Sequence, residues 1–256
     1  MKTMIYSAML AALAINVGVK AHAAEPRPQP PTVVVVHGAF DDGSSWNKVT
    51  ALLQAKGLKV VSVQNPLTSL VDDVAATWRA LDDVPGPVVL VGHSWGGAVI
   101  SEVGGDARVK SLVYVAAFAP SEGQSVADLG KGYPQPPGAD FITKDNAGYL
   151  RLNAEGMRKH FAQDLPPGTV RSMTLSQGPI SAGSFDEKVV TAAWRTRPSW
   201  YVLTEHDHMI DPGLQKAMAE KISAHIVSVP TSHVPQLARP AQVANAIAAA
   251  AAGAAE

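Results

Sequence analysis

The chain has 256 residues, 46% of them hydrophobic and 17% charged, with a formal net charge of -1 and no cysteine. This excludes a disordered or fibrous chain, a basic field for nucleic acid, a disulfide framework and a thiol nucleophile. One sizeable core is the default at this length.

Lys2, an apolar run from Ile5 to Val19 and the small-x-small pattern Ala21-His22-Ala23 open the chain. Residues 1–23 therefore read as a signal peptide that sends the mature protein to the periplasm or out of the cell. A stable membrane anchor is not expected, because the run is shorter than the roughly 20 residues that span a bilayer and Lys20 interrupts it. Residues 24–31 form a Pro-rich linker, and residues 32–256 a single domain.

Short β-branched runs then alternate with amphipathic stretches. The runs are Thr32 to His37, Lys59 to Gln64, Pro87 to Val91, Val109 to Val115, Ser199 to Thr204 and His225 to Val229. Continuous apolar stretches such as Val33 to Val36 fit strands buried on both faces. Ser45 is expected to cap a helix through Ala55 that Gly57 ends, and Val71, Val74, Ala75, Trp78 and Leu81 mark the apolar face of another. This alternation predicts an α/β fold, a mostly parallel sheet of about six strands with helices on both faces. The pattern lapses from about 120 to 188, a cap insertion over the carboxyl ends of the strands, where open α/β sheets bind ligands. Within it, Phe141, Tyr149, Leu152, Phe161 and Met173 are candidates to shape a pocket. The chain finishes in an Ala-rich helix from about Ala241 to Ala252.

The chemistry concentrates at strand ends. After the first strand, His37-Gly38-Ala39-Phe40 makes a flexible turn that can aim a backbone amide at an oxyanion, with Ala39 the first choice and Phe40 its neighbour. His37 reads as a structural residue that bonds the turn. After the third strand, Gly92-His93-Ser94-Trp95-Gly96 runs straight into a helix-compatible stretch, the strand–turn–helix context of a nucleophile elbow. Ser94 is the candidate nucleophile, the Trp95 amide the second oxyanion donor, and His93 reads as packing.

A serine hydroxyl needs a base, and in this architecture an acid and then a histidine follow the serine in chain order. His233, past the last strand, is chosen over His225, which begins that strand, and over His160 in the cap. Asp207 stands a few residues past the fifth strand, whereas Asp211 precedes Pro212 and looks like a helix cap. Glu205 and Glu122 are weaker options. His206 and His208 flank Asp207, but no further ligands stand nearby, so neither metal nor cofactor is expected.

From Thr32 onward the chain resembles the α/β-hydrolase superfamily. HGAFDDGSSW, LVGHSWGG and SHVPQLARP resemble the branch of small esterases, plant methylesterases and hydroxynitrile lyases. That resemblance implies a Ser94, Asp207 and His233 triad, oxyanion donors at Ala39 and Trp95, and cleavage of a small-molecule ester. The branch's lyases carry a Thr after the first-strand His and a Lys after the catalytic His. Gly38 and Val234 stand there instead, which favours ester hydrolysis over the lyase reaction, while a perhydrolase would share the same triad. A non-catalytic binder would have no need of all three triad residues in order.

Overall fold

The computed structural model describes residues 29–254. The expected signal peptide and most of the linker lie outside the described residues.

All six expected strands form one sheet: β1 Thr32–Val36, β2 Val60–Val63, β3 Val88–His93, β4 Val109–Val115, and, after the cap, two more at Ser199–Thr204 and His225–Val229. The cap contributes β5 Ile142–Lys144, β6 Tyr149–Leu152 and β7 Ile180–Ser181, so those last two are β8 and β9. The sheet order is β2-β1-β3-β4-β8-β9, and every pairing in it is parallel. Strand order reverses between β1 and β3, which opens a crevice at their carboxyl ends.

Side-chain alternation explains the valine runs. Val33, Val35, Val89, Val91, Val113 and Val115 pack on one face, while Val34, Val36, Leu90, Leu112 and Tyr114 pack on the other. Helices α1 Asn47–Ala55 and, at the C-terminal end, Pro240–Gly253 cover the first face. Helices α2 Leu70–Asp82, α3 Gly96–Val103 and, beyond β8, Pro212–Lys221 cover the second. Among the described residues, no helix is long and apolar enough to cross a membrane.

Two local expectations need correction. Ser45 does not cap α1: it lies inside a 3-10 turn, Gly43–Trp46, whose cap is Asp42, accepting from Ser44 N at 2.7 Å. The buried side of α2 is Leu70, Asp73, Ala76, Thr77 and Leu81, whereas Val71 and Trp78 are exposed. The helix is turned because Asp73 faces inward, accepting from Leu67 N and Trp95 Nε1, each at 2.7 Å. A buried carboxylate must be hydrogen-bonded, and these two donors outweigh the placement of Val71.

Between β4 and β8 the chain builds more structure than its sequence shows. Strands β5, β6 and β7 form a small antiparallel sheet. Helices α4 Val126–Leu129, α5 Ala154–Gly156 and α6 Pro167–Ser176 and a π-helical turn at Met157–Phe161 accompany it. The remaining helices are α7 Pro212–Lys221, α8 Pro235–Ala238 and α9 Pro240–Gly253.

Candidate active site

The expected elbow is formed at the end of β3. Ser94 has φ 52°, a left-handed conformation that a non-glycine residue adopts only when its surroundings impose it. Close packing imposes it here: a Cβ on Gly92 would lie 2.5 Å from Gly96 O, and one on Gly96 would lie 2.6 Å from Val36 O. Only glycine lets strand, turn and α3 approach this closely. Ser94 N donates to Val115 O, and Ser94 O accepts from Gly97 N and Phe118 N, which pins the turn to both neighbours.

Asp207 and His233 come together as expected. His233 Nδ1–H donates to Asp207 Oδ2 at 2.8 Å, with both side chains buried. The same oxygen accepts from Thr204 Oγ1 at 2.8 Å and Gln215 Nε2 at 2.7 Å, while Oδ1 accepts from Met209 N and Ile210 N. Burial pushes the Asp207 carboxyl up, but the facing His233 and those amides outweigh it and hold the group below its ordinary range. Asp207 is therefore an anion that fixes the His233 tautomer and leaves Nε2 free to accept a proton. Gln215, on α7, is a support that the sequence did not reveal; its only signal is a glutamine on an otherwise apolar helix face.

Ser94 and His233 are linked through His93, whose Nε2 lies 2.9 Å from His233 O. His93 thus does more than pack: it ties the elbow to the histidine loop. A direct hydrogen bond from Ser94 Oγ to His233 is not formed; such contacts are commonly long until substrate is bound.

The turn after β1 presses against the nucleophile, since a Cβ on Gly38 would stand 2.8 Å from Ser94 Cβ. His37 holds this turn: its Nδ1–H donates to Gly38 O at 2.8 Å and its Nε2 accepts from Asn65 N at 2.9 Å. Burial keeps it uncharged by lowering its basicity. Ala39 and Trp95 are both buried beside Ser94, and Phe40 takes φ 58°, which turns the backbone sharply after Ala39. Trp95 precedes α3 without a side-chain cap, so the positive end of that helix faces the turn carrying Ser94.

The cap closes on the site through its π-helical turn. Phe161 packs edge-on against His233, with ring centroids 5.0 Å apart. Asp164 accepts from Ser232 N and Oγ, and His160 Nδ1 meets His208 Nδ1 at 3.2 Å. Asp211 caps α7 through Leu214 N, Glu205 bonds Ser228, Glu122 is exposed, and His225 stacks on Trp200. A cavity of about 350 Å³ is lined by Phe118, Val126, Tyr133, Met209, Ile210 and Leu214, among others; of these, Phe118 reaches the elbow, donating its backbone N–H to Ser94 O. Among the described residues, no group of three or more His, Asp or Glu is arranged to hold a metal ion.

Comparison with known proteins agrees with this fold. The model of the alpha/beta hydrolase family matches residues 33–246. A pyrethroid hydrolase of Sphingobium wenxiniae is 28% identical over 247 residues, covering 84% of this chain and 86% of that protein. A pheophorbidase of Raphanus sativus is 28% identical over 225 residues, 73% of this chain and 81% of its own. A crystal structure of a pyrethroid hydrolase superposes with TM-score 0.76 at 25% identity, covering 86% of this chain and 97% of that one.

Proposed function

The chain belongs to the alpha/beta hydrolase family and is an esterase of that superfamily, and from that premise we propose that Ser94, His233 and Asp207 cleave a small carboxylic ester through an acyl-enzyme. The observation that carries the proposal is the buried 2.8 Å bond from His233 Nδ1 to Asp207, tied through His93 to a serine held at φ 52°.

In this reading His233 Nε2 takes the Ser94 Oγ proton as the oxygen attacks the ester carbonyl carbon. The carbonyl electrons move onto oxygen, where the Ala39 and Trp95 amides stabilise the charge. The intermediate collapses, the C–O bond to the alcohol breaks, and His233 returns its proton to that alcohol. Water then attacks the acyl-serine by the same route, giving the acid and free enzyme. The largely apolar cavity beside Phe118 and Met209 suits an apolar group of the ester. Residues 1–23 act as a leader, so the mature enzyme works in the periplasm or outside the cell.

The test is hydrolysis of p-nitrophenyl acetate by the parent and by Ser94→Ala. The proposal expects a loss in kcat of at least about 10³-fold. A variant as fast as the parent overturns it.

A further inference from the structure

Behind the candidate catalytic histidine lies a carboxyl that the proposed chemistry does not use. Asp41 follows the oxyanion turn and is 5% exposed. Its Oδ2 faces His93 Nδ1 at 3.6 Å, and neither buried atom has a hydrogen-bond partner among the described residues. The opposite edge of the same ring is engaged, with Nε2 2.9 Å from His233 O.

Those contacts determine where the protons sit. A carbonyl oxygen only accepts, so Nε2 carries the hydrogen, and a neutral His93 presents a lone pair at Nδ1. An ionised Asp41 would set a second lone pair against it in a site with little water, an arrangement that costs free energy. One proton between the two groups removes the conflict. Closing 3.6 Å to hydrogen-bond length takes a movement of roughly 0.8 Å. Burial pushes the Asp41 carboxyl up to about 7, and burial together with the facing His233 pushes His93 down to about 3, so the proton resides on Asp41. The Ser45 hydroxyl, Asp42 and His233 face Asp41, where burial outweighs the lowering effect of Ser45 and the Asp42 amide, and His233, Asp207 and His37 face His93. His37 and His233 spend their Nδ1 hydrogens on Gly38 O and Asp207, so neither ring's Nδ1 hydrogen is free for either orphaned atom.

Resting on the triad reading above, we propose that Asp41 is a positioning residue for His233: its carboxyl proton, held against His93 Nδ1, locks His93 in the tautomer that donates to the His233 carbonyl. The carboxyl acts through His93 and does not touch substrate. Above neutral pH the proton leaves, the carboxylate repels the ring's lone pair, and the anchor on the histidine loop loosens.

The experiment is kcat and KM for p-nitrophenyl acetate between pH 5.5 and 9, for the parent, Asp41→Asn and Asp41→Val, with the Ser94→Ala rate subtracted. The parent is expected to lose at least about threefold in kcat between its optimum and pH 9, with KM within twofold. Asparagine keeps a donor toward Nδ1 at every pH, so Asp41→Asn holds the parental maximum and stays flat to pH 9. Valine supplies no donor, so Asp41→Val loses about tenfold in kcat throughout. A parent whose kcat does not fall above pH 7, or three profiles of one shape, overturns the positioning role; the first readout needs no folded variant. If Ser94→Ala matches the parent, the triad reading itself has failed, a different and distinguishable result.

Discussion

Adding one methyl group at Gly38 tests the contact between the oxyanion turn and the nucleophile. Its Cβ would stand 2.8 Å from Ser94 Cβ and 3.1 Å from His93 Nδ1 and His93 O, against ordinary contacts of 3.4–4 Å. The backbone at Gly38 is not in the left-handed region, so alanine suffers a clash and no conformational penalty. Relieving that clash moves the turn or the elbow by roughly 0.6–1 Å. A displacement of that size separates the Ala39 amide from the oxyanion, and losing one such donor or misplacing a reacting group costs about 10²–10³ in rate. Overpacking costs about 1–3 kcal/mol of stability. For Gly38→Ala, kcat and kcat/KM on p-nitrophenyl acetate are expected to fall together by about 10²-fold or more, with KM changing little, because the lost interaction exists only in the transition state. Tm should drop by a few degrees with the fold retained. A folded Gly38→Ala whose kcat lies within threefold of the parent would refute the packing argument.

Other perturbations separate the roles of neighbouring groups. Asp207→Asn keeps the shape of the acid but removes the charge that fixes the His233 tautomer, so kcat is expected to fall by about 10³–10⁴ while circular dichroism is unchanged; a loss under tenfold would contradict it. Asp41 holds its proton more tightly folded than unfolded, so its contribution to stability is present below about pH 4 and lost as pH rises through about 7. That loss is about 4 kcal/mol, and Asn, which cannot ionise, escapes it. The Tm advantage of Asp41→Asn over the parent should thus grow by about 10 °C from pH 4 to pH 8. An advantage equal at both values would rule out the buried acid. Expressed with its leader in a Gram-negative host, the mature protein should begin at Ala24 in the periplasmic fraction; an uncut cytoplasmic chain would remove the export reading.

How much of this was legible in the sequence depends on how each element meets water. The four inner strands of the main sheet were readable because burial on both faces makes apolar runs unbroken, as at Val33 to Val36 and Val88 to Val91, and the half-exposed edge strands β2 and β9 were readable from their short β-branched runs. The elbow was readable because its glycine spacing follows a strand run and precedes a helix-compatible stretch, with Gly92 answering to Gly96 O nearby and Gly96 to Val36 O on the neighbouring strand. The pairing of Asp207 with His233 was legible from chain order together with where each residue stands after its strand. The cap's sheet was not, since strands such as Ile142–Lys144 are short, half-exposed and follow no period long enough to detect. The face of α2 was misread because two polar residues, Asp73 and Thr77, are fully buried on it. Asp41 was invisible for the same reason. Asp-Asp-Gly in a turn reads as solvent-facing polar residues, and only the fold reveals that the first of the pair points inward at His93.

The central claim is that Ser94 carries a covalent intermediate, and the most direct measurement is trapping it. Treated with a fluorophosphonate, the parent should gain one adduct by intact mass, and peptide mapping should place it on Ser94. Ser94→Ala should gain none, and His233→Ala should label about 10²-fold more slowly because the hydroxyl has lost its base. An adduct on another residue, or Ser94→Ala labelled as fast as the parent, would contradict the account.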